Sequence, residues 1–102
     1  GYVVELVPAN GPAISLLDAP VRLVELVVDG LSFTVPDDFK LIFVESGTVT
    51  VRIQAPGIDS LNIHARVGAL SAGEGYRLYG LEFEKVEDPE NHRKVVEQLG
   101  QR

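Results

Sequence analysis

No cysteine, methionine or tryptophan occurs among the 102 residues. The missing cysteine excludes a disulfide framework, a thiolate zinc site, an iron–sulfur cluster and a cysteine nucleophile, and it fits a reducing, cytoplasmic compartment. Cations are also scarce: nine Lys and Arg face fifteen Asp and Glu, a net charge of −6. A generic nucleic-acid binder needs a basic face to neutralise phosphates, so neither DNA nor RNA is an expected partner. An anionic ligand could be held only at a local basic site. Apolar runs stop after three or four residues, far short of the roughly 20 that a membrane-spanning helix needs. No signal-peptide pattern opens the chain. The start at Gly1 and the lack of any Met suggest a boundary within a longer protein, so residues upstream of Gly1 enter the argument below.

A hydrophobic share of 45% and a mean hydropathy of +0.12 suffice for one packed core, and the length suits a single domain over residues 1–102. β-Branched and apolar residues come in short bursts broken by Gly, Pro and Asp, the pattern of an antiparallel all-β domain. Strands are expected over Tyr2 to Val7, Val21 to Val28, Leu31 to Val35, Thr48 to Gln54, Leu61 to about Leu70 and Tyr76 to Val86. Ile14 to Leu17 and Leu41 to Val44 are short apolar pieces. Asp29-Gly30 reads as a type I′ hairpin turn, which needs positive φ at both central positions. Pro56-Gly57 marks another turn, and Ser71 to Gly75 a hairpin loop. The period changes at the end. Asp88 can N-cap a helix, Pro89 suits its first position, Val95, Val96 and Leu99 share a face, and Gly100 stops it. The expected fold is a six- to seven-stranded antiparallel β-barrel with one short C-terminal helix that covers an opening or packs outside.

The residues that could carry chemistry are few. His64 and His92 lie 28 positions apart without further ligand spacing, and both read as surface or half-exposed side chains. No Gly-x-Ser-x-Gly elbow and no phosphate loop is present, and Gly73-Glu74-Gly75-Tyr76 joins two strands where a dinucleotide fingerprint needs strand to helix. Asp37-Asp38 and the run Glu82, Glu84, Glu87, Asp88, Glu90 read as solvated acidic faces. Nothing points to an enzyme or a cofactor. What remains is arginine on strands: Arg22, Arg52, Arg66 and Arg77. Guanidinium forks pair with phosphates and guanine edges, although scattered strand arginines usually meet nearby carboxylates.

Taken in order, these segments resemble the PilZ domain family. Val21-Arg-Leu-Val-Glu-Leu-Val-Val-Asp-Gly-Leu-Ser-Phe33 is similar to the family's second and third strands, where an Asp/Asn-x-Ser-x-x-Gly motif precedes an apolar strand. Gly47-Thr-Val-Thr-Val-Arg-Ile53, Leu61 to Leu70 with its Ala65-Arg66-Val67, and Tyr76-Arg-Leu-Tyr-Gly-Leu-Glu-Phe83 resemble the later strands, and a C-terminal helix follows as in the family. The resemblance covers nearly the whole chain. It implies a bacterial, cytoplasmic six-stranded barrel that receives cyclic di-GMP. In the family an Arg-x-x-x-Arg segment before the first strand wraps the ligand, and the Asp/Asn-x-Ser-x-x-Gly motif meets a guanine.

Aligned on Gly30, the motif places Glu25 at the Asp/Asn position and Val27 at the Ser position. Glu25 keeps the carboxylate on a longer arm, and Val27 has no hydrogen-bonding group. No Arg precedes Arg22. Losing two charge-assisted contacts of about 1.5–3 kcal/mol each weakens binding by orders of magnitude. The resemblance therefore implies a non-enzymatic regulatory module with a degenerate nucleotide motif, which binds cyclic di-GMP weakly or not at all and works through a protein partner or neighbouring domain. Residual ligand contacts fall on Arg22, Glu25 and Gly30. Two alternatives stay open: a genuine receptor completed by arginines upstream of Gly1, and a small β-barrel scaffold unrelated to nucleotide.

Overall fold

A computed structural model describes residues 1–8, 10–40 and 47–100. Seven strands and one helix follow one another: β1 (Val3–Val7), β2 (Ile14–Ser15), β3 (Arg22–Val27), β4 (Gly30–Pro36), β5 (Thr48–Gln54), β6 (Leu61–Ala72), β7 (Tyr76–Lys85) and α1 (Pro89–Gly100). They form one antiparallel sheet in the order β2-β1-β5-β6-β7-β4-β3, curled into a half-barrel. The end strands come together at one point, where the Leu23 N–H donates to the Leu16 carbonyl at 2.7 Å. The all-β architecture with a C-terminal helix is thus the one the sequence pattern suggests. The apolar piece Leu41–Val44 lies outside the described residues.

The inner face follows the period-2 alternation of the sequence. Val49, Val51 and Ile53 on β5, Ile63 and Ala65 on β6, and Tyr79 and Leu81 on β7 are buried together with Phe33 and Val35 of β4. Phe33 stacks on Tyr79 with ring centroids 5.3 Å apart. Burying a Val, Leu or Phe side chain contributes about 1.5–3 kcal/mol, so this row is a large part of what holds the sheet around its core.

Helix α1 begins as its sequence suggests. The Asp88 carboxylate accepts from the Asn91 N–H at 3.2 Å, satisfying one of the orphan donors of the first turn. Val95 belongs to the buried core and Leu99 packs against it, so the helix adds its apolar face to the interior. No helix among the described residues is long and apolar enough to cross a membrane.

Three local expectations are corrected. The β3–β4 turn is Val28-Asp29, because Val27 pairs with Gly30, and no residue of that turn has positive φ. Gly30 is a strand residue paired with Val27 and Glu82, and only glycine fits there because a Cβ would lie 2.1 Å from the Leu81 carbonyl oxygen. The β6–β7 loop is shorter than expected, since Ser71 and Ala72 still pair with Leu78 and Arg77. His92 is fully buried rather than at the surface, because a partner 64 positions earlier holds its ring.

Candidate functional site

The β3–β4 hairpin carries the motif positions, and its geometry depends on a bulge. Arg22 lies opposite Thr34, Leu23 opposite Phe33, Glu25 opposite Ser32 and Val27 opposite Gly30, with a register shift between Leu23 and Glu25. Opposed residues of an antiparallel pair share a face, and Thr34, Ser32 and Gly30 alternate on one strand. Arg22, Glu25 and Val27 therefore point the same way, although an unbroken strand would put Arg22 and Glu25 on opposite faces. Leu23 and Leu26 turn inward opposite Phe33 and Leu31, and Val24 is the extra residue of the bulge.

An open cleft of about 270 Å³ lies along this hairpin. Glu25, Val27 and Gly30 line it, joined by Asp29 and Ser32, with Leu31 and Leu81 as apolar walls. The fold thus brings together two of the three residues singled out from the sequence, Glu25 and Gly30. Arg22 sits further along the same face of β3 and does not line the cleft. Among the described residues, the lining holds two carboxylates and no cation.

Asp29 and Ser32 were not singled out from the sequence. Their signal was present in the register: a serine two places past Gly30 returns on the outward face, directly across from Glu25. Ser32 supplies a hydroxyl to a cleft where Val27 has none.

The floor and the tip of the hairpin are held firmly. Gly30 pairs with Glu82 on β7, and the close approach to Leu81 explains why no side chain fits there. The Phe83 N–H donates to the Asp29 carbonyl at 2.9 Å. His92 of α1 reaches the neighbouring Val28 carbonyl at 2.8 Å. A carbonyl oxygen only accepts, so the proton of that contact sits on Nε2. The imidazole packs edge-on against Phe83 with centroids 5.2 Å apart, and its Nδ1 is buried without a hydrogen-bond partner.

The other arginines are engaged elsewhere. Arg66 donates through Nε and Nη2 to one carboxylate oxygen of Glu82, at 3.2 and 2.9 Å. Gly68 makes room for that carboxylate, since a Cβ there would stand 2.8 Å from Glu82 Oε1. Arg52 meets Glu5 at 2.7 Å across the β1–β5 pair. Arg77 donates to the Tyr79 hydroxyl at 3.2 Å and to the Pro36 and Phe39 carbonyls, tying the loop after β4 to β7. These contacts match the bland expectation for strand arginines in the cases of Arg52 and Arg66. His64 is exposed on β6. Among the described residues, no three His, Cys, Asp or Glu side chains gather where they could hold a metal ion.

No protein-family model matches the chain, and no curated protein or solved structure matches it either.

Proposed function

We propose that this chain is a non-enzymatic, PilZ-like regulatory module of bacterial cyclic di-GMP signalling whose nucleotide motif has degenerated, and that it acts mainly through contacts with protein. One observation carries the reading: among the described residues, the cleft at the aligned motif is lined by Glu25, Val27, Asp29, Gly30 and Ser32 without a single cation. The carboxylates and the Ser32 hydroxyl can accept from a guanine edge. A cyclic dinucleotide also brings two phosphates, and nothing lining the cleft offsets their charge. Arg22 lies outside the lining, while Arg52 and Arg66 are committed to carboxylates.

Calorimetric titration of cyclic di-GMP into this chain tests the proposal. The expected result is no saturable heat in the low-micromolar range. Saturable low-micromolar binding by this chain alone overturns the reading of a degenerate motif. Its loss in Glu25→Ala would then place the ligand in the cleft.

A further inference from the structure

The end of the sheet at β3 presents an unusual surface. Val24 and Val27 on the terminal strand are 59% and 43% exposed, and Val28 in the turn beside them 47%. Edge strands are ordinarily blunted by charge, proline, a bulge or cover because their free N–H and C=O groups recruit other strands, and β3 carries a bulge at Val24 and the carboxylate of Glu25. Here the cover is interrupted: Leu16 meets the edge at Leu23 and α1 meets it at the Val28 carbonyl, which leaves Val24 to Val27 between them. Leu16 meets the Leu23 N–H, and beyond that point no other strand among the described residues pairs with the outer side of β3.

Two depressions flank this free stretch. One is the cleft holding Glu25 and Asp29. The other, about 310 Å³, runs between β3 and the last turn of α1, with Leu17, Leu23, Leu26 and Leu99 in its walls. Glu25 borders both. A strand laid along an exposed edge places alternate side chains in pockets on opposite faces. These two pockets differ in character: one is acidic with apolar walls, the other chiefly apolar.

The surface is also preorganised. Val28 O is held by His92 and Asp29 O by Phe83, so the turn that ends the edge is fixed by the helix and by β7. A partner meets it without the cost of ordering a loop.

We infer that the β3 edge from Val24 to Val27 is the docking surface of this module, and that its occupant is an extended segment of a partner protein in which apolar residues alternate with lysine or arginine. The inference rests on the proposed action through protein contacts and names the partner's chemistry. Charge decides between occupants. A second copy of this chain would bring its own net −6 and its own Glu25 and Asp29 to the interface. The basic positions of such a strand face the cleft of Glu25 and Asp29, and its apolar positions face the pocket of Leu17, Leu23, Leu26 and Leu99.

The test uses the isotope-labelled chain and two synthetic probes, a blocked Lys-Val-Lys-Val-Lys-Val peptide and its Glu-Val counterpart, followed by NMR chemical-shift mapping. The expected result is saturable shifts at the amides of residues 24–30 with the basic peptide only, weakened by added salt. The double variant Glu25→Lys, Asp29→Lys should weaken binding at least about tenfold, the equivalent of about 1.4 kcal/mol. Val24→Ser, a milder change at an exposed position, should weaken it several-fold, and each variant's own spectrum reports whether the fold is kept. Shifts centred on Glu82–Glu90, equal binding of the acidic peptide, no binding, or binding unmoved by the variants overturns the inference. So does a dimer in sedimentation that Val24→Ser dissociates, because the occupant would then be a second copy. Cyclic di-GMP added to the same samples separates the two levels: tight nucleotide binding overturns the parent reading, whereas silence from both ligands overturns the docking surface alone.

Discussion

Gly30 is where sequence resemblance and packing make competing claims on one residue, and Gly30→Ala separates them. In the family pattern this glycine belongs to the ligand motif. In the fold it sits in β4 opposite Glu82, and a Cβ would lie 2.1 Å from the Leu81 oxygen, 3.3 Å from the Leu81 carbon and 3.5 Å from the Glu82 Cα. A carbon–oxygen contact relaxes only near about 3.3 Å, so β4 and β7 must part locally by about 1 Å. All three atoms are backbone, so no side-chain rotation relieves the clash. Overpacking of this kind costs about 1–3 kcal/mol, and each stretched ladder bond adds about 0.5–1.5, giving about 3 kcal/mol in total. For a domain of this size that lowers Tm by about 12–24 °C. Gly80→Ala is the matched control on the adjoining strand. Its Cβ would meet Ala69 Cβ at 3.4 Å, an ordinary contact, and the change should stay within about 1 kcal/mol. Thermal and urea unfolding followed by circular dichroism measure both. If Gly30→Ala costs no more than Gly80→Ala, the reasoning about the hairpin floor fails. If it costs what is expected, loss of ligand binding in a Gly30 variant says nothing about ligand contact, because the cleft itself has shifted.

Two further variants probe the helix. His92→Ala removes the contact with Val28 and the edge-on packing on Phe83 and leaves a cavity; it should cost about 2–4 kcal/mol, with hydrogen exchange accelerated in α1 before β5. Uniform loss of protection across the chain would show that the helix is not a separable layer. Asp88→Ala removes the carboxylate that accepts from Asn91 and should cost about 1 kcal/mol, visible as a lower urea midpoint with an unchanged m-value; Asp88→Asn should restore most of it.

Local chemistry made much of the fold readable in advance. The Thr48–Gln54 strand coincides with its expected span because Val49, Val51 and Ile53 alternate strictly with polar residues and a glycine precedes them. The helix was legible from Asp88, Pro89 and the spacing of Val95 and Leu99, and its cap is the one expected. The hairpin turn falls one residue earlier than the Asp-Gly preference suggests, because Gly30 pairs with Val27 and Glu82, and the need for glycine there comes from the distant Leu81 carbonyl. The bulge at Val24, which sets Arg22 and Glu25 on one face, leaves no mark in the alternation. Of the residues that line the cleft, Glu25 and Gly30 stand in the aligned motif, while Asp29 and Ser32 needed the fold to place them.

The sequence by itself determined that the chain is β-rich, acidic, free of thiol chemistry and finished by a helix, because composition, period and capping are properties of neighbours along the chain. Tertiary structure decided what depends on residues far apart. It paired Glu5 with Arg52 across 47 positions and buried His92 against a carbonyl 64 positions away. It also left β3 at the end of the sheet with its valines exposed. A hydrophobic residue signals inward burial wherever it occurs, so only the strand order could reveal that Val24, Val27 and Val28 face outward at an edge.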